Sequence, residues 1–178
     1  MNKNVNLLAI SYVFGFTAAT ITVFLGAIIG SQITSIKSLS TLPVALSVVG
    51  TAICTILAAK IMSKIGRRLG FIFAALVSSA TALVAAFAIY QQNFILFCIS
   101  NLILGMGMAF THQYRFAAAE SVEKEKAPKA ISILMLSGIV AAFLGITSAN
   151  YTKNLVSDHL YVGSYLSLAA FTFMPAIF

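Results

Sequence analysis

Six stretches of the chain are almost unbroken runs of apolar residues, at about 6–30, 43–63, 69–90, 94–116, 129–150 and 161–178, with short polar links between them. Each comes close to the roughly 20 residues that a helix needs to cross the hydrocarbon of a bilayer. The pattern predicts an all-α integral membrane protein in which residues 1–178 form one bundle of six transmembrane helices, the sixth reaching Phe178. The first run is too long, and too poorly charged at its start, for a secretory signal. Only a weak small-residue site, Gly30-Ser31, follows it, so it reads as a retained span.

Polar positions inside the runs are few and patterned. Ser47, Thr51 and Thr55 recur every four residues and share one face of the second span. Such a stripe either lines a water-filled cavity or bonds back to its own helix and packs on a neighbour. The fourth run carries the most polar groups: Asn101 deep within it, and Thr111, His112, Gln113 and Arg115 at its end. A polar side chain in hydrocarbon is costly and is a functional candidate by default. Asn101 is therefore the candidate for a cavity contact. His112 and Arg115 form a polar cluster where headgroups and water reach, and His112 reads as an interfacial histidine, with proton carrier as the alternative. Gly26 and Gly30 in the first run, and Gly138 and Gly145 in the fifth, predict close helix crossings. Pro43 and Pro128 suit first helical turns.

Composition sharpens this picture. Of 178 residues, 60% are hydrophobic and 8% charged, whereas a soluble domain carries roughly 25% charged residues. The solvent of this chain is largely lipid. Its charge is also lopsided. Lys3, Lys60, Lys64, Arg67, Arg68, Arg115, Lys124, Lys126 and Lys129, nine bases, fall on one side of the alternating links, and only Lys37 and Lys153, two, on the other. Positive charge marks the cytoplasmic side, so both termini are expected in the cytoplasm, in an inner or plasma membrane. The net charge of +7 is an orientation signal and a contact with anionic headgroups. Bases split among short loops do not make a nucleic-acid surface.

Reactive chemistry is sparse. Cys54 and Cys98 sit within apolar runs, where a thiol acts as a small hydrophobe, and no second metal ligand lies near either. The four acids all lie outside the runs, and no nucleotide loop, zinc-binding helix or nucleophile elbow is present. No cofactor and no enzyme activity are expected. The link "ESVEKEKAPKA", with Glu120, Glu123 and Glu125 among Lys124, Lys126 and Lys129, reads as a solvated, self-paired connector.

The run "AKIMSKIGRR", residues 59–68, resembles the loop signature of the major facilitator superfamily, G-x-x-x-D-R-x-G-R-R between the second and third helices. Gly66, Arg67 and Arg68 match it, Lys64 stands for its first arginine, Ala59 for its glycine and Ser63 for its aspartate. "QYRFAAAES" and "SGIVAAFLG" are similar to the family as well, and the likeness extends over about residues 5–178, the N-terminal six-helix half of a twelve-helix permease. The resemblance implies a 3+3 inverted repeat and secondary transport of a small solute by alternating access between two bundles. It also implies that the loop locks the outward-facing state. Ser63 lacks the carboxylate of that lock, leaving Glu120 to pair with Arg67 or Arg68. Asn101 stands where the family's fourth-helix arginine lies, and Gly145-Ile146 where drug antiporters have Gly-Pro. Three readings follow: half of a permease, with a second six-helix half as partner; a homodimer that rebuilds the missing half; or a non-transporting membrane remnant. In a lone bundle, Ser47, Thr51, Thr55 and Asn101 are expected on the open cavity face.

Overall fold

The computed structural model describes residues 3–156 and 159–177; the side chain of Lys3 and the expected terminus of the last span, Phe178, lie outside the described residues. Among the described residues, seven α-helices follow in order: α1 (Lys3–Ile33), α2 (Leu42–Ile65), α3 (Arg67–Tyr90), α4 (Phe94–Thr111), α5 (Tyr114–Glu120), α6 (Ala127–Thr152) and α7 (Val162–Phe173). No strand occurs among the described residues. Pro43 and Pro128 both fall in first turns, of α2 and α6, where a missing N–H leaves no hydrogen bond unmade.

Five segments are long and apolar enough to cross a bilayer: Asn4–Ile33, Lys37–Ile65, Arg67–Tyr90, Phe94–Glu120 and Lys124–Thr152. The expected sixth span is shorter. Regular α-helix in α7 covers 12 residues, a rise of about 18 Å. It starts close to the expected position, at Val162, directly after Tyr161 in a left-handed conformation, φ 70°. It stops early because Pro175 has no N–H for the α-helical ladder, and a 3₁₀ turn, Met174–Ala176, follows. The expected fourth span is also divided. It breaks at His112-Gln113, where the chain turns before resuming as α5.

The links are built from local chemistry. Gly66 alone joins α2 to α3, at φ 86° and ψ 156°, a region open essentially to glycine. The three-residue link Gln91-Gln92-Asn93 reverses the chain with Gln92 at φ 51°. Asn93 then caps α4, its side chain accepting from the Leu96 N–H at 3.0 Å.

Lipid is as apolar as leucine, so helices in a bilayer associate through close contact and shared hydrogen bonds. The three most extensive pairings are α2 with α4, α1 with α6 and α3 with α7. An exchange of α1, α2 and α3 with α4, α6 and α7 maps this set of pairs onto itself. Hydroxyl groups bridge between helices: Ser79 donates to the Ala169 carbonyl at 2.9 Å, and Ser164 to the Ala149 carbonyl at 2.7 Å. Two cores stack along the bundle. One gathers Ile21, Leu25, Ala85, Phe97, Leu104 and Tyr165; the other gathers Tyr12, Met62, Phe71, Phe110, Tyr114 and Leu134. Burial is uneven. The most apolar stretch of Phe94–Glu120 is 56% buried, that of Lys37–Ile65 only 28% and that of Lys124–Thr152 only 22%.

Candidate functional site

The residues singled out by sequence separate into an interior group and a group at the lysine- and arginine-rich end of the bundle. In the interior, the hydroxyl stripe of α2 is mostly a packing surface. Ser47 is buried and donates to the Val44 carbonyl at 2.7 Å. The Thr51 hydroxyl lies 2.8 Å from the Ser47 carbonyl and 2.9 Å from that of Gly105, so it is shared between its own helix and α4. Only Thr55 is exposed, and it bonds back to the Thr51 carbonyl at 2.6 Å. Of the four polar residues expected on one open cavity face, Ser47 and Asn101 are buried in this bundle, Thr51 is half-buried and Thr55 exposed. Gly50 and Gly105 let the two backbones meet, and a Cβ on either would run into a carbonyl oxygen, of Leu102 and of Ser47 respectively.

Asn101 does not face open space either. It is wholly buried, donates to the Phe97 carbonyl at 2.8 Å and sits 3.5 Å from the Tyr165 hydroxyl. Thr22 flanks the same hydroxyl, although its own buried oxygen makes no hydrogen bond within 3.5 Å. Asn101 thus ties α4 to α7, and Phe97 packs edge-on to the Tyr165 ring. Sequence reasoning missed Tyr165, which reads as one more aromatic in an apolar run, and it missed Gly50 and Gly105. Their small-residue character was available as a signal.

At the basic end, geometry selects between two arginines. Arg67 forms a bidentate pair with Glu120, Nε to Oε2 at 2.7 Å and Nη2 to Oε1 at 2.5 Å. Two parallel N–H donors match the two carboxylate oxygens, and the pair joins the first turn of α3 to the last of α5. Arg68 makes no ion pair among the described residues. Ser63 is turned back on its own helix, donating to the Lys60 carbonyl at 2.8 Å. It nevertheless lines the same cleft of about 300 Å³ as Ala59, Gly66, Arg67, Gln113 and Glu120. Lys64 is exposed. In the connector, Glu123 pairs with Lys126 at 2.7 Å, whereas Glu120 leaves the expected self-pairing to meet Arg67.

His112 and Arg115 are in contact. The Arg115 guanidinium donates from Nε to the His112 carbonyl at 3.1 Å, and Nη2 lies 3.3 Å from His112 Nδ1. A guanidinium can only donate, so Nδ1 accepts and the ring is neutral in this arrangement. Aromatic rings surround the cluster: Tyr12 stacks on Phe16 with centroids 5.1 Å apart, and Phe16 meets the His112 ring edge-on. Among the described residues, no three His, Cys, Asp or Glu side chains converge as a metal site would require.

The comparisons place these features in a family. The Major Facilitator Superfamily description matches residues 7–177. The chain is 34% identical to the riboflavin transporter RfnT of Brucella anthropi over 94% of its own length and 42% of that protein's. It is 25% identical to YddS and 30% identical to YdeG, uncharacterised MFS-type transporters of Bacillus subtilis, covering 34% of each. The chain thus spans less than half the length of these relatives. No solved structure matches it. With five segments long and apolar enough to cross a bilayer among its described residues, this multi-pass membrane protein belongs to the major facilitator superfamily.

Proposed function

We propose that this chain is the N-terminal bundle of a permease that carries a small solute, with six spans, both termini in the cytoplasm and a second bundle opposite it. The observation that carries the reading is the uncovered apolar surface of α2 and α6. Ile56 is 78% exposed and Phe143 71%, in a chain that covers only 42% of the first relative. A solute path then runs between this bundle and its partner. Gly66 and the Arg67–Glu120 pair serve as hinge and latch of the inner gate, the latch closing when α3 and α5 meet. The flavin class is the first solute to test, because the relative from Brucella anthropi is a riboflavin transporter. A second copy of the chain suits the same uncovered faces and is the alternative partner.

Two measurements test this. Cysteines introduced at positions 37 and 153 react with an impermeant thiol reagent added outside cells, and cysteines at 67 and 124 do not; the reverse pattern overturns the orientation. Labelled riboflavin is then offered to liposomes containing the chain as a defined monomer or dimer. The monomer is expected to give no uptake. Uptake by the monomer overturns the half-bundle reading, and uptake by the dimer alone selects the second copy as partner.

A further inference from the structure

A cleft of about 530 Å³ opens at the inner end of the bundle, between the start of α1, the start of α3 and α5. Leu7, Leu8, Phe71 and Ile72 make its walls apolar, while Asn4 and Arg68 stand at its rim. Phe71 lies flat against Tyr114, with ring centroids 3.8 Å apart, which fixes the floor. Arg67 also borders the cleft, but its charge is matched by Glu120. Arg68 is exposed and has no acid within 4 Å among the described residues. The cleft therefore combines an apolar slot with one uncompensated guanidinium at its mouth.

We infer that this cleft binds an anionic phospholipid, with the phosphate on Arg68 and the upper acyl chain against Leu7, Leu8 and Ile72. Charge complementarity selects this occupant. A guanidinium forks onto phosphate oxygens through two parallel donors, and Asn4 adds a polar group beside it for the glycerol hydroxyls. A free phosphate would leave the apolar slot unfilled. A zwitterionic lipid would bring its ammonium group into a rim where Arg68 already carries unmatched positive charge. The lysine- and arginine-rich end of a membrane protein is also the end that meets anionic headgroups. The inference needs only the membrane setting of the chain, not its transport activity.

The test is lipid retention by the purified chain, measured by native mass spectrometry after exchange from vesicles of equimolar phosphatidylglycerol and phosphatidylcholine. The expected result is one phosphatidylglycerol retained in preference to phosphatidylcholine. Arg68→Gln should lower that preference about fivefold, the effect of one basic residue near a membrane surface. Lys37→Gln, at the opposite end of the bundle, should leave it unchanged. Leu8→Trp, which fills the slot and keeps every charge, should also release the lipid. Equal retention of the two lipids, or an Arg68→Gln variant with normal helicity and undiminished preference, overturns the site. So does a Lys37→Gln variant that loses as much, since net charge would then be the cause. Displacement of the lipid by millimolar sn-glycerol 1-phosphate would show that the rim reads free phosphate and would overturn the acyl slot.

Discussion

Two joints in this bundle are built on opposite plans. Where α2 crosses α4, Gly50 lies against the Leu102 carbonyl and Gly105 against that of Ser47, and the Thr51 hydroxyl reaches the Gly105 carbonyl at 2.9 Å. Where α3 meets α5, two long side chains, Arg67 and Glu120, reach across an exposed gap. The first joint is backbone on backbone, in hydrocarbon, with nothing able to move aside. The second is charge on charge, in water, and water can replace either partner. A transporter of the alternating-access type needs both, a bundle that moves as one body and a contact that opens. On the proposed function, rigidity would reside in glycine and hydroxyl groups and release in ions.

The interior joint is the one whose loss costs most. Gly105→Leu places a branched side chain against the Ser47 backbone, which cannot turn away as a side chain would. The expected loss is about 3 kcal/mol or more, at the upper end for overpacking. It is read as a fall in unfolding free energy in detergent or bilayer. Gly105→Ala should go the same way by less. Unchanged stability of the leucine variant would mean that α2 and α4 do not cross closely.

An intermediate effect belongs to the buried polar contact between α4 and α7. Asn101→Ala strands the Tyr165 hydroxyl beside Thr22, at a cost of about 2 kcal/mol for an unsatisfied buried group. Tyr165→Phe in the same background should recover part of that loss, because the orphaned hydroxyl is then gone. Strict additivity of the two substitutions would show that Asn101 and Tyr165 are not coupled.

How far these contacts can be read from the sequence depends on their chemistry. Charge alone leaves the neighbouring lysines of the connector as partners of Glu120; the resemblance to the family loop brings in Arg67 and Arg68, and only the folded geometry selects Arg67. The four-residue spacing of Ser47, Thr51 and Thr55 fixes their common face but not what covers it. A water-filled cavity and the Gly105 carbonyl satisfy a hydroxyl equally well, and a carbonyl leaves no mark in the pattern. Hydropathy locates the fourth and sixth runs, yet it does not show that the chain turns at His112-Gln113 or that α7 ends at Phe173, ahead of Pro175.

The smallest stability effect is expected at the inner joint, and it is the most informative about the contrast. Arg67 is 30% exposed and Glu120 62%, so solvent screens their attraction even though the geometry is bidentate. Arg67→Gln and Glu120→Gln should each cost at most about 1 kcal/mol, with a coupling of about 0.5 kcal/mol in the double-mutant cycle. That coupling should fade as salt rises toward about 1 M, where the screening length drops to about 3 Å, while the Gly105 effect should not respond to salt. The exchange Arg67→Glu with Glu120→Arg should restore most of what either single reversal removes. Thiol accessibility at the inner end should follow the charge pairing more steeply than stability does, because an opening contact changes exposure before it changes folding. A coupling near 3 kcal/mol, insensitive to salt, would place this pair in a dry setting. The two joints would then be alike, and the inner one could no longer serve as the part that lets go.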